Sequence, residues 1–361
     1  MPSRPSVLVV GAGPVGLATA IEFARRGATV RIVDKDPLPT RESRALGVNP
    51  RTLELLEGCG ATERLIAAGV RLRGLRILGA GVTRATIDLT RLPPPYNFLL
   101  ALPQNQTAAI LAEVLLQLGV RVEHGITATM IATDRSGADV TLEGPSGQER
   151  ARSDWLIGAD GAHSTVRKAL GIGFVGEPYP FQWSLADIDL AGDVEEDRGE
   201  LRLDVGAPLL VRLPLGRGRH RLISNAPDLL ARVPASWSPG AVHWRNDFRV
   251  SRRQVDRLGQ DRAWLIGDAA HIHSPVGGRG MNLGIEDGVT LAERIMAGDL
   301  GDWPARRHAK AAVVVRETDR TQRLATADGA FARTVAPRLV GALLRVPALH
   351  DRVVRRVAGL S

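Results

Sequence analysis

Residues 7–34 read VLVVGAGPVGLATAIEFARRGATVRIVD, and their pattern decides the fold class. VLVV is a short β-branched apolar run of the kind a buried strand uses, and GLATAIEFARRG follows with helical periodicity and a stop at Gly27. ATVRIVD is a second strand, so the stretch is one strand–helix–strand unit. Gly11, Gly13 and Gly16 sit at its first turn as G-x-G-x-x-G. The first glycine permits the tight turn, the second lets a pyrophosphate reach the backbone, and the third lets helix and strand pack closely. Pro14 and Val15 open the helix, whose N-terminal N–H groups and dipole favour a phosphate. Asp34 closes the second strand where a carboxylate accepts from ribose hydroxyls, with Lys35 beside it as a further candidate contact. The plain alternative is a tight turn without a ligand.

The chain has 361 residues, enough for one large domain or two, with 44% hydrophobic and 24% charged residues, which is ordinary for a globular protein. It shows no apolar run long enough for a membrane span, and its N-terminus lacks the layout of a signal peptide. Cys59 is the only cysteine; no intrachain disulfide can form, and a cytoplasmic location is expected. The net charge of +8 comes almost wholly from arginine, since Lys35, Lys168 and Lys310 are the only lysines. The clusters GRGRHR (216–221), RNDFRVSRR (245–253) and RVVRR (352–356) carry no nucleic-acid motif and read as solvated surface, so no nucleic-acid partner is expected.

Further along, QTAAILAEVLLQLG (106–119) reads as an amphipathic helix and DWLIGADGAHSTVRKALG (154–171) as strand, turn and helix. Residues 172–250 have little helical period and seven prolines, which suits a mostly antiparallel layer. RAWLIGDAAH (262–271) returns to the buried-strand pattern, and from Met281 the chain reads as helical. A second glycine-rich turn lies in GDAAHIHSPVGGRGMN (267–282). Glycine at that density suits neither core nor helix, so something needs the backbone to come close. His271 and His273 lack a third ligand at useful spacing, so no metal is expected.

Together, VLVVGAGPVGLATAIEFARRGATVRIVDKD, RALGVNPRTLELLEGCG, LPQNQTAAILAEVL, LIGADGAHSTVRKALGI and RAWLIGDAAHIHSPVGGRGMNLGIEDGVTLAERI resemble the FAD-dependent aromatic hydroxylases of the class A flavoprotein monooxygenases, the relatives of para-hydroxybenzoate hydroxylase. The resemblance spans residues 6–300 in order. It implies an α/β protein whose Rossmann-like, glutathione-reductase-like FAD domain carries an inserted, mostly antiparallel β substrate layer, with C-terminal helices. The expected divisions are 1–70, 103–171 and 255–300 for the FAD domain, 71–102 and 172–254 for the substrate layer, and 301–361 for the helical end.

By the same resemblance, Asp268 holds the ribitol or pyrophosphate region of FAD, and Gly277, Gly278, Gly280, Met281 and Asn282 bring main chain and a helix N-terminus to the flavin ring. Arg44 and Gln104 match cofactor contacts, and Asp160 with Gly161 matches a pair linked to both FAD and the nicotinamide. Each has a plainer reading: Arg44 and Arg41 as surface, Gln104 as a helix-start residue, Asp160 as a turn former. The implied activity uses NADPH or NADH and dioxygen to hydroxylate an aromatic or polyketide-like substrate through a flavin hydroperoxide, with no catalytic side chain identified. The alternative is a flavoprotein that does not oxygenate, such as a reductase, a dehydrogenase or an auxiliary protein.

Tyr179, Phe181, Trp183, Trp237 and Trp244 are candidate substrate-facing aromatics, with core as the alternative reading. Relatives of the family usually have a longer insertion where this chain has DLLARVPASWSPG (228–240), which predicts a more open pocket. The segment 337–360 places Leu and Val at helical spacing between arginines. It is expected to pack on the protein surface rather than lie on an anionic membrane. A monomer or homodimer without stable membrane insertion is expected.

Overall fold

A computed structural model describes residues 4–40, 43–327 and 330–360; Arg41 lies outside the described residues. The strand Ser6–Val10 sits inside a six-stranded sheet, between Trp155–Gly158 on one side and Thr29–Asp34 on the other. Both neighbours run parallel to it, with Val9 opposite Ile157 and Ile32. Ala263–Leu265 continues the sheet beyond Trp155–Gly158, and Val122–His124 continues it beyond Thr29–Asp34. Ser6–Val10, Trp155–Gly158 and Ala263–Leu265 are apolar almost throughout because both sheet faces are covered there, whereas Thr29–Asp34 and Val122–His124, toward the edge, carry polar residues. Val7, Leu8, Val9, Ile32, Val33, Leu156 and Ile157 are all buried.

The helix Pro14–Arg25 starts with proline at its first turn and buries Leu17, Ala18, Ala20, Ile21 and Phe23. It ends where Gly27 takes φ +89°, a conformation glycine adopts without strain. It lies against the helix Gly280–Met296 through small residues. A Cβ on Gly284 would approach Val15 Cγ2 to 2.7 Å, and one on Gly288 would approach Thr19 Oγ1 to 1.8 Å. The two backbones can therefore come close only because these positions are bare.

A second, eight-stranded sheet is built around two 17-residue strands, Phe174–Leu190 and Pro239–Val255. Arg219–Ser224, Leu210–Gly216 and Arg198–Arg202 follow in antiparallel order, and Gly74–Gly79 then joins parallel to Arg198–Arg202. Side chains alternate between its faces. One face carries Tyr179, Phe181, Trp183, Val211, Ile223 and Phe248. The opposite face carries Ala186, Ile188, Leu190, Leu210 and Leu222, covered by Leu229 and Trp237.

Two expectations change here. Trp237 is separated from Trp183 by the sheet, so it does not share a face with the other aromatics. The short 228–240 stretch roofs that same opposite face, so its length does not set how open the Trp183 face is. The 71–102 stretch also divides. Gly74–Gly79 and Val82–Asp88 join the large sheet, whereas Leu99–Ala101 pairs with Gly47–Val48 and Val70–Leu72 in a small sheet of its own. Leu100 is fully buried in the main core, which explains why this run lacks the alternation of its neighbours.

The chain continues through the helices Trp303–Thr326, Ala330–Leu344 and Pro347–Val357. None of the described helices is long and apolar enough to cross a membrane.

Candidate functional site

Three turns meet at the carboxyl ends of parallel strands, where open α/β sheets place their ligands. Gly11 has φ +105°, and a Cβ there would lie 2.4 Å from the carbonyl oxygen of Ala159. A Cβ on Gly16 would lie 1.9 Å from the Gly11 carbonyl oxygen, whereas one on Gly13 would meet nothing within 4 Å. The outer two glycines are thus demanded by packing and the middle one faces open space. Gly267, at φ +58°, brings the Asp268 turn against Val15. The helix that begins at Pro14 has no side-chain cap at Gly13, so its first N–H groups remain available to an anion.

Asp34 lies at the end of the adjacent strand and holds the turn itself. Its Oδ2 accepts from Ala12 N at 2.6 Å and its Oδ1 from Asp36 N at 2.9 Å. Lys35 is exposed beside it. Asp268 is also exposed, yet it is set deeply enough among protein atoms that desolvation raises its carboxyl above the ordinary range, against the pull of His271 and Arg44. An accessible carboxylate in so dry a setting marks the floor of a cleft.

Arg44 is exposed, and the residues flanking it are clamped. Gln104 Oε1 accepts from Ala45 N, and Gln104 N–H is shared between Ala45 O and Ser43 Oγ, each at 3.0 Å. Gln104 therefore fixes the strand of chain that carries Arg44. Arg221 completes the clamp from the large sheet. Its guanidinium binds both Asp187 oxygens at 2.7 and 2.8 Å and donates to Ser43 O at 2.6 Å.

Arg221 and His220 are fully buried, which corrects the solvated reading of the 216–221 cluster; Arg217 and Arg219 are exposed as expected. Burial of an arginine is sustained here by a two-point carboxylate partner on the neighbouring strand. Alternation along 219–224 was the available signal, because it puts Arg221 on the same face as Ile223.

The side chain of Asp160 caps a short helix. It accepts from Ser164 Oγ at 2.5 Å, Thr165 N at 2.7 Å and Val166 N at 3.1 Å. Next to it, buried Arg167 donates to Ala162 O and Ala269 O, both at 2.9 Å, and so ties the Asp160 turn to the Asp268 turn. The sequence reading missed Arg167.

The second glycine turn is open on its outer side. Gly277 and Gly278 are exposed at φ +93° and +60°, with no Cβ obstruction at Gly278. Gly280 begins the helix, Met281 is buried in the main core, and no side chain caps the helix start. Asn282 is buried with every side-chain function engaged. Its Nδ2 donates to Gly47 O and Gly278 O, and its Oδ1 accepts from Asn49 N and Thr52 Oγ1. It holds the turn in place and leaves only main chain to face a ligand.

His271 and His273 each have a partner of their own. His271 Nε2 pairs with Asp287 Oδ2 at 2.6 Å, and Asp287 is also held by Arg307. Burial pushes His273 down to about 4, so its ring is neutral. Among the described residues no group of His, Cys, Asp or Glu is arranged to hold a metal ion.

Val276, in the glycine turn, packs against the aromatic face that carries Phe181, Trp183 and Phe248. Tyr179 and Phe181 stack at 5.8 Å, and Trp183 meets Phe181 edge-on at 6.2 Å. Trp244 lies on this face too, with Arg221 over its ring at 5.0 Å. The glycine turn is thus where an apolar wall and an open backbone meet.

This geometry agrees with what the chain is similar to. The FAD binding domain family matches residues 4–203 and 225–310. The chain belongs to that family, and its cofactor is FAD. It is 37% identical over 319 residues to 6-methylpretetramide 4-monooxygenase of Streptomyces rimosus, covering 81% of this chain and 55% of the relative. It is 30% identical over 387 residues to rifampicin monooxygenase of Streptomyces venezuelae, covering 98% and 78%. The chain thus spans about half the length of the first relative and more than three quarters of the second. The crystal structure of p-nitrophenol 4-monooxygenase from Pseudomonas putida superposes with a TM-score of 0.89 over 100% of this chain and 99% of that one. At 23% identity this last match bears on the fold alone.

The residues fit the cofactor on structural grounds. The open cradle at Gly13, the uncapped helix start, the accessible Asp268 and the bare Gly277–Gly278 main chain are the features an extended dinucleotide requires.

Proposed function

We propose that this protein is an FAD-dependent monooxygenase that uses NADPH or NADH and dioxygen to hydroxylate an aromatic or polycyclic small molecule. The observation that carries the reading is the contact of Val276 with the Phe181–Trp183–Phe248 face. It puts an apolar, aromatic wall beside the open glycine turn that, in this reading, faces the flavin. The names of the relatives, one acting on 6-methylpretetramide and one on rifampicin, support a substrate of several rings.

In this reading Gly11, Gly13, Pro14, Val15 and Gly16 hold the pyrophosphate, with Asp34 bracing the turn and Lys35 at its edge. Arg44, positioned by Gln104 and Arg221, and Asp268 hold the middle of the cofactor. Gly278, Gly280, Met281 and Asn282 present main chain to the ring, and Asp160 shapes the neighbouring turn. FAD, when bound, supplies the redox chemistry that accepts a hydride and activates dioxygen. The protein's task is to orient and to keep water out. Phe181 and Phe248, both half-buried, offer apolar ring surface against which an aromatic substrate loses its hydration, and the fully buried Trp183 backs them from the core. His273, neutral and buried, cannot place a positive charge beneath the turn.

This division of labour extends to the segments: 1–70, 103–171 and 255–300 carry the cofactor, while most of 71–102 and 172–254 carries the substrate wall. The test is purification of the chain with about one FAD bound, followed by turnover under labelled dioxygen with a panel of phenols and polycyclic quinones. Label in a hydroxylated product establishes the reading. NAD(P)H oxidation without label in any product overturns it in favour of a non-oxygenating flavoprotein.

A further inference from the structure

The helices Ala330–Leu344 and Pro347–Val357 bury one side and leave another bare. Leu344 packs with Ile77 and Ala85, and Val354 and Ala358 pack with Leu89 and Leu92. These contacts hold both helices on the protein, the packing that the sequence reading expected in place of an anionic membrane. Yet Leu339, Val340, Leu343, Val346 and Leu349 are 55, 37, 54, 47 and 39% exposed. Leu339 and Leu343 lie one helical turn apart, Val346 extends their row through the connection, and Leu349 begins the next helix. Five large apolar side chains in one run of eleven residues are not the scattered singles of an ordinary surface.

The charges beside this row are one-sided. Residues 337–360 contain five arginines and a single acid, Asp351, and that acid is bound to Arg91 at 2.7 Å. Among the described residues Arg338, Arg345, Arg352 and Arg355 are exposed and have no carboxylate partner. A groove of about 220 Å³ runs between the Val82–Asp88 strand and the Ala330–Leu344 helix, lined by Arg84, Thr83, Thr86, Gly341 and Arg345. Arg84 makes one bond, to Gly79 O at 3.2 Å, and it too lacks a carboxylate.

We propose that this face docks peripherally on an anionic phospholipid bilayer. The leucine and valine row enters the boundary between headgroups and acyl chains, and the surrounding guanidiniums bind headgroup phosphates, with the Arg84–Arg345 groove accepting one of them. A second copy of this chain fits the face poorly, because a two-fold contact would set unpaired arginines against themselves. The inference is independent of the flavin chemistry proposed above.

The test is co-sedimentation of the full chain with vesicles of phosphatidylcholine alone and of phosphatidylcholine with about one quarter phosphatidylglycerol, at roughly physiological ionic strength. Binding to the anionic vesicles is expected to be at least about ten-fold stronger, and to weaken with added salt. Leu343→Glu and Arg345→Glu, both at exposed positions, should each abolish most of it while leaving melting temperature and FAD absorbance unchanged. The proposal is overturned if anionic vesicles do not carry the protein down, or if both variants sediment as well as the parent. It is also overturned if the face proves to be a contact between copies, seen as a dimer that Leu343→Glu dissociates and that vesicles do not bind.

Discussion

The α-carbon of Gly16 faces the carbonyl oxygen of Gly11 so closely that an added Cβ would lie 1.9 Å from it, while a Cβ on Gly13, three residues earlier, would meet nothing. The two glycines therefore separate folding from cofactor binding. Gly16→Ala must push apart the first strand and helix, at a cost of about 3 kcal/mol or more. Gly13 has φ −70°, which alanine adopts freely, so Gly13→Ala should leave the apoprotein's melting temperature within a few degrees of the parent. Its methyl group occupies the cradle, and FAD affinity should fall by at least about ten-fold, or 1.4 kcal/mol. Thermal melts of apoprotein and FAD titrations of both variants check the pair. Equal loss of stability in the two would contradict the assignment of the cradle.

A similar argument applies where the helices Pro14–Arg25 and Gly280–Met296 cross. Gly288→Ala drives a methyl group into Thr19, whose hydroxyl donates to Val15 O at 2.7 Å. The expected loss is about 1–3 kcal/mol in urea unfolding. Thr19→Ala removes the obstructing atoms, so the double variant should be more stable than the sum of the single changes predicts, by about 1 kcal/mol. Strict additivity would show that the helices relax apart instead.

The buried pair of Arg221 and Asp187 yields a third prediction. Arg221→Met leaves Asp187 without its partner and releases Ser43, at an expected cost of about 3–5 kcal/mol. Since Ser43 precedes Arg44, a conservative Arg221→Lys that still folds should loosen the cofactor. Lysine presents all its donors from a single nitrogen and cannot span Asp187 and Ser43 as a planar fork does. FAD dissociation measured by fluorescence should quicken in Arg221→Lys, and an unchanged rate would confine Arg221 to a folding role.

How much of this was legible in the sequence depended on the range of the signal. The glycine triplet, Asp34 and the strand–helix–strand unit are local, and the tight turn expected at Gly11 and the close packing expected at Gly16 match their surroundings. The parallel-strand core was readable because a strand covered on both faces is apolar throughout. What the sequence concealed lies in contacts between distant segments. Arg221 reads as one more surface arginine until Asp187, 34 positions away, is placed on the next strand. Asn282 and Asp160 looked like ligand contacts because polar residues at turns serve both purposes, and only the bond partners reveal that their side chains hold the turns. Trp237 could not be assigned a face, since it lies in a short 3-10 turn outside the alternating strand pattern.

The last prediction concerns acid. His220 is fully buried, accepts from Arg212 at 3.1 Å on Nδ1, and so directs its Nε2 proton to Glu196 Oε1 at 3.2 Å. Burial, with the Arg212 charge beside it, lowers its pKa to about 4 from 6.5. The Glu196 side chain is 49% exposed, so solvent screens its opposing pull. His273 is lowered to about 4 as well, by burial first and then by His271. Both rings stay neutral in the folded protein while the unfolded chain takes up protons below about pH 6.5. Stability contributed by these two sites is therefore full above pH 6.5 and declines as the pH falls to about 4, where the folded rings also protonate. The full decline is on the order of 3 kcal/mol for each ring. His220→Asn should be less stable than the parent at pH 7.5, and the gap should narrow as the pH is lowered toward 4.5, because only the parent carries that proton uptake. Urea unfolding of both proteins across this range measures the gap directly. A gap that stays constant with pH would mean that folding leaves the His220 pKa unshifted, and one that widens on acidification would mean that the ring is charged in the fold.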